Sequence, residues 1–207
     1  EESNYIFYMI LDPSFETQQQ FLEYLTRLFG IDSIWYSSRD AREVIEKFLF
    51  AKCVEEQKTI ILMIDEGQKL TDAQLEILRT FLNYETNECK LMQLVIFAQL
   101  ELLSRIANIP NFMDRVAFKY LIEPLSLDET EKLVEYRLKK AGYKQPPAIF
   151  SMEAIVSIYN FSKGYPRKIT RICHNAMEMI VMKDQTRVTK ELIDEIIEQE
   201  KMWGKDS

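Results

Sequence analysis

The sequence has too few histidines and cysteines for most metal and thiol chemistry. Among 207 residues there is one histidine, His174, which stands beside Cys173. No zinc-ligand spacing accompanies it, and a catalytic histidine would have to be this one, in a segment predicted to be helical. Three cysteines, Cys53, Cys89 and Cys173, are odd in number and far apart. This usage is typical of structural thiols in a reducing compartment, so we expect a cytoplasmic protein.

Long apolar runs and a positive net charge are also lacking. No run approaches the roughly 18 residues of a membrane span. The first residues, Glu1-Glu2-Ser3-Asn4, contain neither the basic region of a signal peptide nor an initiator methionine. The net charge of −7 argues against a surface built for non-specific nucleic-acid binding, although a local basic patch stays open. The length allows one core plus a small second domain.

The phosphate-binding loop G-x-x-x-x-G-K-[ST] is absent, yet a segment that normally accompanies it is present. The apolar run 60–64 ends abruptly in Asp65 and Glu66. Such a run is typical of a buried parallel strand whose carboxyl end opens onto an active site. In nucleotide-hydrolysing proteins the first acid at this place serves Mg²⁺ and the second polarises the attacking water.

Strand and helix patterns alternate over residues 1–123. Ser14 is predicted to cap the first helix, and Thr71 with Gln74 forms a capping box for the third. The alternation predicts an α/β domain with a parallel sheet covered on both faces. The predicted strands are 5–11, 60–64, 91–98 and 116–122, and the predicted helices are 15–29, 39–56, 71–84 and 99–107.

Residues 124–207 show only helical patterns. Ser126 and Glu129 form a capping box, and a second helix is predicted from about 152 to 161. Pro166 suits the first position of a third helix, and Thr189 suits the cap of a fourth. These signals predict a small all-helical domain after the α/β domain.

Five polar residues are the candidates for chemistry: Asp65, Glu66, Gln99, Arg115 and Arg167. Gln99 follows the apolar run 94–98, and ligands of open α/β sheets lie outside the carboxyl ends of strands. Arg115 precedes the last predicted strand. Arg167 lies in the first turn of a helix, where the dipole disfavours a cation, so a nearby anion or acid is expected. Each residue alone has an ordinary alternative as a strand exit, a helix cap or a surface ion pair.

The order and spacing of these residues resemble the AAA+ ATPases of the general secretion pathway A type, whose relatives include transposon ATPases of the TnsC and TniB kind. The resemblance covers nearly the whole chain. The family's Walker B segment IDEAQ-L is similar to IDEGQKL at 64–70, and its sensor strand LVLVGQPEL to LVIFAQLEL at 94–102. Its R…L-PLS-EET…RL—AG segment is similar to 115–142, and its S-G-PR-I segment to 162–169.

The resemblance implies a P-loop NTPase-like fold, with ATP and Mg²⁺ as cofactors, and a role for each candidate. Asp65 would bind Mg²⁺, and Glu66 would act as general base on the lytic water. Gln99 would sense the γ-phosphate, and Arg167 would reach it from the helical lid. Arg115 would be an arginine finger offered to a neighbouring subunit, which implies a ring or filament of identical chains.

The chain departs from the family at several positions. Gly67 replaces a small alanine, which we expect to be harmless. Ala98 and Leu100 replace a glycine and a proline beside the sensor glutamine, and Leu133 replaces a frequent tyrosine that contacts the adenine side. These changes put the shape of the sensor loop and one adenine contact in question.

The largest departure is the missing P-loop, which in the family precedes the strand matched by 5–11. The strand that leads into it normally lies between the strands matched by 91–98 and 116–122. Without that strand, two sheet edges would lack partners. We therefore expect the natural protein to extend upstream by at least a strand, a P-loop and a helix. We also expect this chain alone to bind ATP poorly and to be inactive as an ATPase.

Two classes of function stay open. One is an ATPase that couples nucleotide binding and hydrolysis to assembly of a larger complex, with an envelope complex or a transposase and DNA as partner. The other is a non-catalytic interaction module derived from such an ATPase. Two small basic clusters could face DNA or simply be solvated helix faces; they comprise Lys163, Arg167, Lys168 and Arg171, and Lys139, Lys140 and Lys144.

Overall fold

The computed structural model describes residues 4–32, 37–86, 90–143 and 148–203. The chain divides into two compact units, Glu1–Lys119 and Tyr120–Ser207. Within the described ranges, no helix is both long enough and apolar enough to cross a bilayer.

Three parallel strands form the sheet of the first unit, with spatial order β1-β2-β3. They are β1 (Tyr5–Ile10), β2 (Thr59–Ile64) and β3 (Met92–Ile96). The register aligns Ile10 with Ile64 and Ile64 with Ile96, so all three strands end at the same edge. This alignment confirms three of the four predicted strands.

Three of the four α-helices described in the first unit begin at a side-chain cap. Thr17 and Gln20 form a capping box at the start of the first helix, as Thr71 and Gln74 do at the third. Ser14 was predicted to cap the first helix, which is wrong, because its hydroxyl and backbone N–H both bond to Asp12. The helices are α1 (Gln18–Leu28), α2 (Ser38–Phe50), α3 (Asp72–Leu82) and α4 (Glu101–Ala107).

One apolar core holds the first unit together. Helix α2 continues into a π-helical turn, Ala51–Glu55, before β2 begins. Side chains from all three strands and from α1 to α4 share the core, among them Ile10, Leu22, Leu49, Leu62, Phe81 and Leu102. Burial of these side chains contributes most of the unit's stability.

The predicted strand at 116–122 is not formed. These residues make no sheet pairing, and Phe118, Tyr120 and Ile122 are each 79% exposed. A strand persists only when its backbone groups pair with a neighbour, and among the described residues β3 pairs with β2 alone. Residues 116–122 therefore have the apolar sequence of a strand, but among the described residues no neighbouring strand pairs with their backbone groups.

The described residues of the second unit form four helices: α5 (Leu127–Lys140), α6 (Met152–Ser162), α7 (Pro166–Met182) and α8 (Lys190–Trp203). The predicted capping box at Ser126 and Glu129 and the first-turn proline of α7 are confirmed. Gly164 has φ +78°, and its C=O accepts the N–H of Leu125 at 2.9 Å. A Cβ at this position would collide with the Leu125 carbonyl oxygen, so only glycine fits the α6–α7 turn.

The cysteines differ in state. Cys173 is free, and burial raises the pKa of its thiol to about 12. Cys53 is disulfide-bonded, so the prediction of a structural thiol is wrong for that residue. Cys89 lies outside the described residues.

Candidate functional site

A shallow cavity lies at the shared carboxyl edge of β2 and β3. Its volume is about 230 Å³, and it brings together three predicted site residues, Asp65, Glu66 and Gln99. Asp65 and Glu66 directly follow β2, whereas Gln99 lies three residues beyond the end of β3. The remaining lining residues are Gln68, Phe97 and Ala98.

Asp65 continues the sheet before the chain turns away. Its N–H donates to the Ile10 carbonyl at 2.8 Å, and its Oδ1 accepts the Glu66 N–H at 2.8 Å. Glu66 then adopts a left-handed conformation with φ +52°, and a 3₁₀ turn follows at Gly67–Lys69. A glutamate seldom adopts positive φ, so the surrounding contacts must hold this backbone in place.

Gly67 fastens this turn to the end of β3. Its N–H donates to the Phe97 carbonyl at 2.9 Å. A Cβ on Gly67 would be closer to Ile96 Cγ2 than two non-bonded carbons can approach. Glycine fits this turn as it stands, whereas a larger residue would require the Ile96 side chain to shift. The expectation that glycine in place of alanine is harmless stays a prediction.

Gln68 forms hydrogen bonds both to Glu66, which follows β2, and to Gln99, which follows β3. Its Nε2 donates to Glu66 Oε2 at 2.6 Å, and its Oε1 accepts the Gln99 N–H at 3.2 Å. Sequence reasoning did not select this residue. Its signals were a match to the glutamine of the IDEAQ-L segment and a polar side chain two positions after Glu66, and neither reveals a contact with the segment after β3.

Arg105, from α4, is a second residue that the sequence did not reveal. Its guanidinium donates to the Gln68 carbonyl at 2.9 Å and to the Leu70 carbonyl at 2.6 Å. It also pairs with Asp72 Oδ1 at 2.6 Å, in the first turn of α3. One side chain therefore joins α4, the turn after Glu66 and the start of α3.

An ion pair lies at the end of β1, beside the turn. Lys69 Nζ is 2.8 Å from Asp12 Oδ2. The hydrogen bond from Lys69, followed by that from Ser14, lowers the pKa of Asp12 to about 2. The Asp12 bond in turn raises the pKa of Lys69, with a smaller contribution from the charge of Glu66. The one lysine of the turn is thus engaged with Asp12, and the nearby charge of Glu66 adds to the raised pKa of that lysine.

The two predicted arginines do not line the cavity. Arg115 ends a 3₁₀ turn, Met113–Arg115, and its exposed side chain forms no ion pair with the described residues. Arg167 is the second residue of α7 in the other unit and is likewise exposed, with no ion pair to any described acid. Arg171, one turn further along α7, instead pairs with Glu200 at 2.6 Å.

Comparison with known proteins gives the family. Residues 1–106 match the family model described as "AAA domain", which is more than half of the chain. The chain belongs to the AAA domain family. This membership agrees with the P-loop NTPase-like arrangement of a parallel sheet followed by a helical unit.

One curated relative of this AAA domain is General secretion pathway protein A of Aeromonas hydrophila. It is 34% identical over 137 residues, which cover 65% of this chain and 24% of that protein. The similarity confirms the resemblance to secretion-pathway-A ATPases. The chain spans about a quarter of that relative's length.

Two solved structures share the fold of the AAA domain. Cdc6p of Pyrobaculum aerophilum superimposes with a TM-score of 0.65 at 16% identity, over 90% of this chain and 51% of that one. ORC2 of Aeropyrum pernix, solved as ADPNP–ADP complexes, gives a TM-score of 0.64 at 14% identity, over 94% of this chain and 52% of that one. At these identities the likeness concerns the fold alone.

The acids of the AAA domain fit Mg²⁺ only in company with a phosphate. No group of three or more His, Cys, Asp or Glu side chains within the described ranges could hold a metal ion. Oδ1 of Asp65 is engaged by the Glu66 N–H, which leaves Oδ2 as its second oxygen. Mg²⁺ commonly keeps several waters and takes one or two carboxylates plus substrate phosphates, and a single Asp65 ligand fits that pattern.

Proposed function

We propose that the natural protein containing this AAA domain binds and hydrolyses ATP at the carboxyl edge of β2 and β3. The observation that carries the proposal is that Asp65, Glu66 and Gln99, which follow two adjacent parallel strands, line one and the same cavity. Ligands of open α/β sheets bind outside this edge. ORC2 of Aeropyrum pernix, which shares the fold, was solved with ADPNP and ADP.

In this proposal Glu66 is the general base. Its carboxylate takes a proton from a water whose oxygen forms a bond to the γ-phosphorus. The bond from that phosphorus to the bridging oxygen breaks, giving ADP and phosphate. Gln99 would hydrogen-bond a γ-phosphate oxygen, and Asp65 would hold Mg²⁺, which neutralises charge on the phosphates.

The two exposed arginines would complete the site. Arg115 carries a guanidinium that pairs with no described acid, and we propose that it reaches the nucleotide of a neighbouring copy. Arg167 would contact the γ-phosphate of its own subunit. Transferred phosphoryl groups are stabilised by such cations, and a finger supplied in trans requires a homo-oligomeric ring or filament.

We further propose that nucleotide state controls assembly of a larger protein complex. Similarity to General secretion pathway protein A favours an envelope complex as the partner over a transposase with DNA. The branch is open to a direct test, because a DNA partner would make assembly sensitive to salt and to added duplex.

Hydrolysis assays on the full-length natural protein test the proposal. We expect Glu66→Gln to lower kcat by about 10²-fold or more while ATP binding persists. Arg115→Ala should lower kcat by roughly 10³-fold. Glu23→Gln and Arg39→Ala, at exposed positions of α1 and α2, are the matched controls.

Mixing the two inactive variants tests the role of Arg115 in trans. A mixture of Glu66→Gln and Arg115→Ala subunits forms some interfaces with both groups intact, so activity should reappear. Failure of the folded unmodified protein to hydrolyse or bind ATP would favour the non-catalytic interaction module instead.

A further inference from the structure

We propose that Gln68 is a positioning residue that ties the Glu66 carboxylate to the sensor segment after β3. The proposal rests on the proposed function in one respect, since it takes Glu66 as the general base. It assigns to Gln68 a task that its place on a surface turn would not suggest.

The carboxamide of Gln68 is used at both ends. Its Nε2 donates to Glu66 Oε2 at 2.6 Å, while its Oε1 accepts the Gln99 N–H at 3.2 Å. If the amide were flipped, Gln68 Oε1 would face the Glu66 carboxylate, and Gln68 Nε2 would face the Gln99 N–H. Neither pair can form a hydrogen bond. The two partners therefore select one orientation, and neither bond can form without the amide being correctly placed for the other.

The backbone that carries this amide is fixed on three sides. Gly67 N–H donates to the Phe97 carbonyl at 2.9 Å, and a Cβ at this position would collide with the Ile96 side chain. Arg105 holds the Gln68 carbonyl at 2.9 Å from the side of α4. The left-handed backbone of Glu66, φ +52°, persists within these contacts. A side chain that starts from so constrained a backbone can hold its partner with precision.

The link gives the site a route between sensing and catalysis. Gln99 is the residue proposed to contact the γ-phosphate, and its backbone N–H donates a hydrogen bond to Gln68 Oε1. A displacement of the Gln99 backbone would therefore move the Gln68 side-chain amide, which is hydrogen-bonded to the Glu66 carboxylate. Gln68 thus makes the position of the general base depend on the position of the sensor segment.

Nuclear magnetic resonance of the 207-residue chain tests the link without any need for hydrolysis. In Gln68→Met, which keeps the length of the side chain but removes both bonds, the Gln99 backbone amide resonance should shift. In Glu66→Ala, the side-chain amide of Gln68 should shift. Gln19→Met is the matched control, because Gln19 makes a similar bond to Glu23 on the exposed face of α1. Unchanged Gln99 and Gln68 resonances would overturn the proposal.

Kinetics of the full-length protein test the consequence. Because misplacement of a catalytic group by about 1 Å can cost 10²-fold, we expect Gln68→Met to lower kcat by roughly 10- to 10²-fold with little change in KM. Gln68→Glu keeps an acceptor for Gln99 but sets a second carboxylate against Glu66, so it should be at least as slow. A wild-type kcat for Gln68→Met in an active enzyme would contradict the positioning role.

The two readouts separate this proposal from the proposed function. If the unmodified full-length protein does not hydrolyse ATP, the proposed function fails, and the resonance shifts alone decide whether the link exists. Gln68→Met could lower kcat and also melt more than a few degrees below wild type. In that case Gln68→Asn, which retains the amide, should restore the melting temperature, while its kcat should stay low. Recovery of both would indicate a structural role and overturn the proposal.

Discussion

Both faces of the three-stranded sheet carry large apolar side chains, but the two faces are buried to different extents. On one face Ile10, Leu62 and Ile64 are completely buried within the core that α1, α2 and α3 share. On the other face Phe7 is 59% exposed and Met9 is 42% exposed. Hydropathy alone does not distinguish these faces, because strands of parallel sheets read as nearly continuous apolar runs.

This difference in burial shows which face of the sheet the described helices cover. Sequence patterns predict a sheet covered on both faces, and that prediction is wrong for the part of the chain that the structure describes. Helices α1 to α3 turn their apolar sides to the first face, while Phe7, Met9 and Val95 of the second face stay exposed. The candidate site lies beyond the carboxyl ends of the strands. There the side chains no longer alternate between the two faces of the sheet, and hydrogen bonds determine their positions.

The largest expected effect is on the covered face. Leu62→Ala removes a fully buried side chain from the central strand, and we expect it to lower the free energy of unfolding by about 2–5 kcal/mol. Urea denaturation monitored by circular dichroism would measure the change. A loss below about 1 kcal/mol would contradict the assignment of this face to the core.

A smaller but sizeable loss is expected where the turn after Glu66 rests on the covered face. Gly67→Ala places a methyl group against Ile96, and overpacking of this kind costs about 1–3 kcal/mol. In a double-mutant cycle, Ile96→Ala should relieve part of this cost, since it removes the colliding Cγ2. Strictly additive free energies in the cycle would argue against the close approach of turn and strand.

The open face should tolerate a substitution that the covered face does not. Phe7→Ser should change the free energy of unfolding by no more than about 1 kcal/mol, because more than half of the side chain is already in water. The same urea experiment compares it directly with Leu62→Ala. A loss as large as that of Leu62→Ala would show that something buries this face in solution.

The smallest effect concerns the ion pair at the end of β1. The folded pKa of Asp12, about 2, lies below the ordinary aspartate value of about 3.9. Its contribution to stability is therefore present above the ordinary value and is lost as the pH falls through about 2. Carboxyl carbon shifts followed by nuclear magnetic resonance should give that pKa, and Lys69→Met should raise it. An unshifted Asp12 in the unmodified protein would contradict the bond to Lys69.

Local signals in the sequence predicted much of the fold. The capping boxes at Thr71 and Ser126 place the starts of α3 and α5 correctly, because a cap depends on residues three positions apart. The strand predicted at 116–122 fails for the opposite reason, since a strand depends on a partner that its own sequence does not contain. Ser14 was predicted to cap the first helix, but its hydroxyl donates to Asp12, and Thr17 forms the cap instead.

The candidate site could be predicted only in part. Asp65, Glu66 and Gln99 were selected because acids and amides at the ends of buried strands stand out in the sequence, and the structure brings them to one cavity. Gln68 and Arg105 were missed because their bonds join residues 31 to 37 positions apart. The roles of Arg115 and Arg167 stay predictions, since each depends on a nucleotide or a neighbouring copy.

The central claim is that Asp65, Glu66 and Gln99 form a nucleotide site, and calorimetry with Mg-ATP tests it most directly. The measurement would use the full-length natural protein and its Asp65→Asn variant, each titrated with ATP in the presence and absence of Mg²⁺. The account predicts binding by the unmodified protein that strengthens with Mg²⁺, and a variant in which this dependence is largely lost. A folded protein that binds no ATP, or an Asp65→Asn variant with undiminished Mg²⁺ dependence, would contradict it.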